Sequence, residues 1–396
     1  MTTARFSLKR YISRLAFLAL IALTVGACGQ VKSSSDASSG AWTPKKLGLP
    51  VGHRMATLDP IRHLIWFVNC PLSDINRDGR PTLVRFEINS GDVSSFDAPV
   101  PCSGPSALAP FGLNGSLRTD SAGNVWFLSG WKLVKFVPST SDFIAWDVPG
   151  KPLISASAAD VASFTYPSGI VVGDGGIVWV RVVQAPALQG FVTSAQSWRP
   201  LALGGSMSSD ESKGPFLSDG SGRLILGTAS AMGASAVRII DPATGSVTDT
   251  GVRSGEFAIT SDGRIAFVND SGQLMTHSMA TGRAEAVGLP LKGSRGEEAS
   301  RYYREIRIRS APNGILWLLD GPNFAEDGII NFNRVDLASS NVQKIAVPDV
   351  QFNAKGPGYS APGGAGGLLF DSNGTAWLPT TGVAREKWPE LYSLAP

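Results

Sequence analysis

From residue 42 onward the apolar residues come in short runs, rich in Val, Ile, Phe and Trp, each bounded by Gly, Asn, Asp or Pro. Runs this short, with β-branched and aromatic side chains between turn formers, predict strands. One figure recurs. Thr119–Phe127, TDSAGNVWF, is a polar turn carrying Gly123, followed by an apolar strand with Trp126 three residues after the glycine. Gly176 leads to Trp179, Gly314 to Trp317 and Gly374 to Trp377 at the same spacing. Gly222 to Ile225 and Gly263 to Ala266 keep it with a smaller residue, and a copy without glycine ends in Trp66. The seven markers 66, 126, 179, 225, 266, 317 and 377 lie 60, 53, 46, 41, 51 and 60 residues apart. Repetition near this period, in units that read as strands only, predicts an all-β, seven-bladed β-propeller of four-stranded antiparallel blades.

Each unit reads as strand, turn, marker strand, loop, strand, turn, strand, with the strands named a to d. Unit 1 offers IWFVN, TLVRFEI, a turn at Asn89–Asp92 and VSSFDAPV. Unit 4 offers RLILG, AVRIID, a turn at Pro242–Gly245 and SVTDTGV. Unit 7 stops early: TAWLPT and ELYSLAP give strands b and c, and the chain ends at Pro396. Lys45–Val51, KLGLPV after Lys45, matches the d strands AEAVGLP and KIAVP and is expected to complete unit 7, closing the ring. Closure would pair two sheet edges that otherwise invite aggregation. The marker tryptophans are expected to be packing anchors between blades and not a ligand ladder.

The N-terminus changes the address. Arg5, Lys9, Arg10 and Arg14 precede the apolar run Leu15–Val25. Eleven residues fall short of the roughly 20 that a membrane-spanning helix needs. They fit a signal-peptide core. The run ends in Val25-Gly26-Ala27-Cys28, which resembles the lipobox of bacterial lipoproteins; the Cys28 thiol would carry the lipid. Residues 1–27 are thus expected to be a lipoprotein signal peptide, 28–41 a Ser-rich lipidated tether and 42–396 the propeller. Acyl chains, palmitate among them, anchor through buried methylenes. Gly29 is not the aspartate that retains lipoproteins at the inner membrane, so the outer membrane, facing the periplasm, is the expected location in a host with two membranes. Removing the leader leaves 31 basic against 32 acidic residues. A body so near neutral argues against nucleic acid as a partner.

Two cysteines remain, Cys70 in the expected b–c loop of unit 1 and Cys102 in the d–a loop after it. Both connections emerge on one face, and an extracytoplasmic address permits a disulfide between them. The longest expected connections lie on this same face, where binding residues concentrate.

The repeat TDSAGNVWF…KLVKF…FIAWDVP resembles that of the streptogramin B lyase (virginiamycin B lyase) family and of related NHL-type propellers over about residues 42–396. The resemblance implies the propeller fold. Lyases of that family carry a catalytic His and Glu and a bound magnesium, with Glu commonly following the Trp-Phe-Thr of the repeat. Here the residues after the strand-b aromatics are Val68, Leu128, Val180, Leu318 and Leu378, and His277 is the one residue that could be offered as base. No catalytic residue carries over. Gluconolactonase-like propellers, which use inward carboxylates on a divalent metal, usually have six blades and not seven.

Two stretches of the long-loop face carry candidate chemistry. Asp74, Asn76, Asp78, Arg80 and Thr82 occupy alternate positions of DINRDGRPT, similar to the D-x-N-x-D-G calcium loop. Alternating oxygen ligands around a turn glycine suit a hard cation, so Ca2+ is the candidate cofactor. Thr82 and Arg85 stand where an EF-hand has acids, and Arg77 and Arg80 lower the negative charge, so an Asx-stabilised loop without metal is the competing reading. Arg301, Tyr302 and Tyr303, with Phe324, Tyr359 and Trp388 on nearby loops, mix the residue types favoured at interface hot spots; ordinary loop packing competes with that assignment. The expected function is a binding or scaffold module of the cell envelope, for an envelope protein or small ligand. The alternative is a lyase- or lactonase-type enzyme acting on a small cyclic or sugar-like substrate.

Overall fold

The computed structural model describes residues 42–49, 52–71, 80–100, 117–150, 167–173, 175–182, 185, 187–203, 215–227, 236–254, 257–269, 273–290, 307–319, 331–346, 368–379 and 391–396. These residues form strands and turns, with no helix among them long and apolar enough to cross a membrane. A short strand, β1 (Thr43–Lys45), comes first. Blade 1 follows as β2 (Gly52–Asp59), β3 (Leu64–Pro71), β4 (Thr82–Glu87) and β5 (Val93–Asp97). Blade 2 is β6 (Leu117–Thr119), β7 (Val125–Ser129), β8 (Lys132–Val137) and β9 (Asp142–Asp147). Blade 3 is β10 (Pro167–Gly173), β11 (Ile177–Val182), β12 (Ala187–Val192) and β13 (Ser197–Ala202). Blade 4 is β14 (Phe216–Ser218), β15 (Leu224–Gly227), β16 (Ala236–Asp241) and β17 (Ser246–Arg253). Blade 5 is β18 (Phe257–Ile259), β19 (Ile265–Val268), β20 (Gln273–His277) and β21 (Ala284–Pro290). Blade 6 is β22 (Arg307–Ser310), β23 (Ile315–Leu319), β24 (Asn331–Asp336) and β25 (Asn341–Ala346). Blade 7 is β26 (Leu369–Phe370), β27 (Ala376–Pro379) and β28 (Leu391–Leu394).

All pairings are antiparallel between neighbours in sequence, with one exception. The fourth strand of blade 7 is β1, whose Thr43, Pro44 and Lys45 lie opposite Ser393, Tyr392 and Leu391. The expected segment was Lys45–Val51, so the pairing strand is displaced toward the N-terminus. The reason is local. Gly48 takes a positive φ of 71°, which ends an extended run, and Leu47 and Leu49 are buried beside Trp377, Ile65 and Phe67 between blades 7 and 1. Leucines on an edge strand would leave that seam unfilled.

Seven apolar clusters hold the ring, one at each blade junction. Every marker sits in one of them and packs on the following blade: Trp66 with Phe136, Trp126 with Phe191, and Trp377 with Phe86. The five marker tryptophans are 0–5% exposed. Burying aromatic side chains of this size dominates core energetics. Where the marker shrinks to Ala266, Ala258 and Val268 share the seam with Leu316 and Leu318 of the next blade.

The a–b turns explain the repeated glycine. Gly123 has a φ of 85°, and a Cβ there would lie 2.5 Å from the Arg62 guanidinium of blade 1. Arg62 crosses over it to reach the Ser121 carbonyl at 3.1 Å. In blade 1 the matching position is His63, which adopts a φ of 54° in the glycine's place.

Candidate functional site

The strand bounds sort the connections by face. On the a–b and c–d side every connection is six residues or fewer, the longest being Ser278–Arg283. On the b–c and d–a side they reach residues 98–116, 148–166, 203–215, 291–306 and 347–368. A rigid ring therefore presents its variable chain on one side, as the repeat spacing implied.

Arg301, Tyr302, Tyr303, Phe324, Tyr359 and Trp388 lie outside the described residues, as do Asp74, Asn76, Asp78, Cys102 and Cys28. Arg80 is described and exposed. Thr82 opens β4, where it pairs with Asn69 on one side and Asp97 on the other, and its hydroxyl donates to the Asp97 carboxylate at 3.4 Å. Among the described residues no three His, Cys, Asp or Glu side chains converge as a metal site would require. Cys70 belongs to strand β3 opposite His53, and not to the loop in which the sequence placed it. The β2–β3 ladder extends to Pro71 because both strands run eight residues.

The marker-following residues are core. Val68, Leu128, Val180, Leu318 and Leu378 are all buried apolar side chains. His277 is also buried, at the end of β20 between Ile265 and Ala284, and burial pushes its imidazole below the usual value. An enclosed histidine in a c strand lies away from the inner strands.

The short-turn side carries a device that the glycine spacing alone did not reveal. Asp120 receives the Asn124 backbone N–H at 2.9 Å and the Trp126 indole Nε1–H at 2.8 Å. Asp371 receives the Thr375 N–H at 3.0 Å and the Trp377 Nε1–H at 3.1 Å. In these two blades one carboxylate thus closes the turn and satisfies the buried indole, from six residues before the tryptophan. An aspartate at that fixed offset was visible in the sequence. Blade 4 has Asp219 in the same place, but its marker is Ile225, and the spare oxygen binds Arg223 Nε at 2.6 Å. Burial opposes ionisation there, yet hydrogen bonds from Ser221 and Arg223 hold the Asp219 carboxyl below its usual range.

The innermost strands face one another around the ring, β2 beside β6 and β26, and β10 beside β6 and β14. Among them Arg118 on β6 and Arg309 on β22 are half-buried cations. Each donates from Nη1 to the carbonyl of the preceding residue, Leu117 or Ile308, at 2.8 Å. Burial and then the charge of Arg309 lower the Arg118 guanidinium to about 10. It remains protonated at neutral pH. Each lies eight residues before a marker tryptophan, a spacing that could have singled them out in the sequence.

No family model matches the chain, and no curated protein matches it in sequence. Solved structures do. A catalytically inactive virginiamycin B lyase from Staphylococcus aureus, solved with quinupristin, aligns over 90% of this chain and 99% of its own, with a TM-score of 0.59 at 13% identity. The RRP9 WD40 repeats align over 92% and 99%, with a TM-score of 0.57 at 10% identity. YCF48 bound to a D1 peptide aligns over 92% and 97%, with a TM-score of 0.53 at 12% identity. One of these neighbours is a lyase and another holds a peptide, and at such identities the likeness is one of fold. This chain is a seven-bladed β-propeller similar in fold to virginiamycin B lyase.

Proposed function

We propose that this chain is a cell-envelope lipoprotein whose propeller is a binding or scaffold module, engaging an envelope protein or ligand through its long-loop face. The observation that carries the reading is the segregation of connections: every long one falls on the b–c and d–a side of a ring whose other side is closed by turns of six residues or fewer. Such a ring positions chain for recognition while contributing little chemistry of its own. Cys28 carries the lipid, residues 28–41 form the tether, and Arg301, Tyr302, Tyr303, Phe324, Tyr359 and Trp388 supply the contact patch. A Cys70–Cys102 disulfide ties the end of β3 to the connection after β5, and the Asp74–Thr82 segment takes Ca2+.

In-cell cross-linking of the lipidated protein, beside a variant carrying Arg301→Ala, Tyr302→Ala and Trp388→Ala, tests the proposal. A defined envelope protein is recovered with wild type and lost with the variant. Equal recovery with both would refute this placement of the patch, and recovery of nothing would refute the scaffold role. A second reading, a lyase or lactonase acting on a small cyclic substrate, draws on the same fold carrying such chemistry in virginiamycin B lyase. Opposing it, the marker-following positions are buried apolar residues.

A further inference from the structure

Each blade ends in an outer strand with no further strand beyond it among the described residues. A bare edge offers its N–H and C=O groups to any extended chain, and proteins blunt it with proline, lysine, a bulge or short length. Most outer strands of this ring carry such a device. β1 has three residues, among them Pro44 and Lys45. β13 has Pro200 and β25 has Lys344. The ladders of β17 and β21 shift register at Ala236/Arg238 and Gln273/Met275. That leaves β5 and β9. β5 is the shorter and has Ser94 and Ser95 at its centre, with the Ser94 hydroxyl held by Arg85 Nη2 at 3.2 Å. β9, DFIAWD, keeps unbroken register with β8 over six residues and contains no Pro, Gly, Lys or Arg.

One bond fixes which groups of β9 point outward. The Val148 N–H donates to the Trp131 carbonyl at 2.8 Å, in register with the β8–β9 ladder. Antiparallel ladders alternate bonded and non-bonded pairs. Trp146, Ile144 and Asp142 therefore bond inward to β8, and Phe143, Ala145 and Asp147 turn their N–H and C=O outward. Among the described residues no other backbone bond reaches those groups. Ile144, at 40%, and Ala145 are exposed at the middle of the strand. Both ends are acidic. Asp147 holds Lys132 at 2.8 Å yet its side chain stays 78% exposed, and none of the ion pairs among the described residues includes Asp142.

These charges select the occupant. Two copies of β9 centred edge to edge would set aspartate beside aspartate in either direction, and like charges across a ladder are destabilising. A strand from another protein with cations at its ends meets no such cost. We propose that β9 is a docking edge for strand addition, taking an extended partner segment with an apolar centre and lysine or arginine at each end. The proposal does not rest on the long-loop reading, since this edge is an outer strand of blade 2 and the patch lies on connections.

The test uses the full-length protein in detergent and a fluorescein-labelled hexapeptide with lysine at both ends and alternating valine and threonine between them, read by anisotropy. Binding should saturate, and the same peptide with aspartate at both ends should bind about tenfold more weakly. Ala145→Pro removes the central outward donor without breaking a ladder bond, as edge strands tolerate. It should weaken binding about fivefold, the loss of one hydrogen bond, with the melting temperature close to wild type. A lysine-ended peptide N-methylated throughout keeps its side chains but has no backbone donors, so it should not bind wild type, whatever the stability of the proline variant. No saturable binding of the lysine-ended peptide, equal binding of the aspartate-ended one, binding that survives N-methylation, or a folded Ala145→Pro with unchanged affinity would overturn the site. So would a wild-type dimer in sedimentation velocity that Ala145→Pro converts to monomer, since a second copy would then occupy the edge.

Discussion

Blades 1 and 2 solve the same a–b turn with different residues. In blade 2 the turn has Asp120, Gly123 and Trp126 at fixed spacing, and the carboxylate satisfies both the turn and the buried indole. In blade 1 the aspartate lies one residue further from the tryptophan. Asp59 binds the Ile61 and Arg62 amides and the Arg62 guanidinium, and the Trp66 Nε1–H is left buried without an acceptor. His63 takes the left-handed conformation that glycine takes elsewhere. The fold therefore requires the backbone path and the apolar bulk of the marker, while the polar device is optional. Blade 1 trades it for Arg62, which bridges to the turn of blade 2.

The largest break in this comparison is Trp126→Ala. It empties a fully buried site stacked on Trp146, and urea unfolding should show a loss of about 3–5 kcal/mol. Gly123→Ala comes next. A side chain at φ 85° that also meets Arg62 should cost about 2 kcal/mol, whereas alanine at Gly91, where nothing lies within 4 Å, should cost less, from backbone strain alone. Asp120→Ala leaves the indole N–H and the turn amide without their acceptor, and should cost about 1–2 kcal/mol. Asp59→Ala cannot unsatisfy Trp66, which already lacks a partner, so its loss is confined to the turn and the Arg62 bridge. His63→Gly sharpens the contrast in the opposite direction, stabilising by about 1 kcal/mol as left-handed strain is relieved.

The smallest effect is in pH. The folded-state value of Asp219 lies below its unfolded value, so its contribution is present at neutral pH and is lost as pH falls through the carboxylate range. Melting curves of Asp219→Asn should be flatter on the acid side than those of wild type, with the difference vanishing at low pH.

Much of this was legible in the chain. The marker period encodes the blades because each marker must fill a seam with the next blade, and that demand repeats once per sheet. The turn residues encode the strand ends, as at Pro242–Gly245 between β16 and β17. Strand extent was read less well: Cys70 reads as loop by its neighbours Asn69 and Pro71, yet it is held in a ladder by pairing with His53, a contact remote in sequence. The N-terminal strand was displaced for a similar reason. Lys45–Val51 has the pattern of a d strand, but the space between blades 7 and 1 claims Leu47 and Leu49.

Sequence by itself determined the class, the number of blades and the packing role of the marker residues, because hydrophobic period and turn chemistry are local and repeat seven times. The tertiary structure alone decided which residues of distant repeats share a level of the ring. Arg118 and Arg309 are 191 positions apart and look like ordinary strand arginines in isolation. Only the ladders of their own blades set each of them across from a marker tryptophan, because register across a ladder is a property of the assembled sheets.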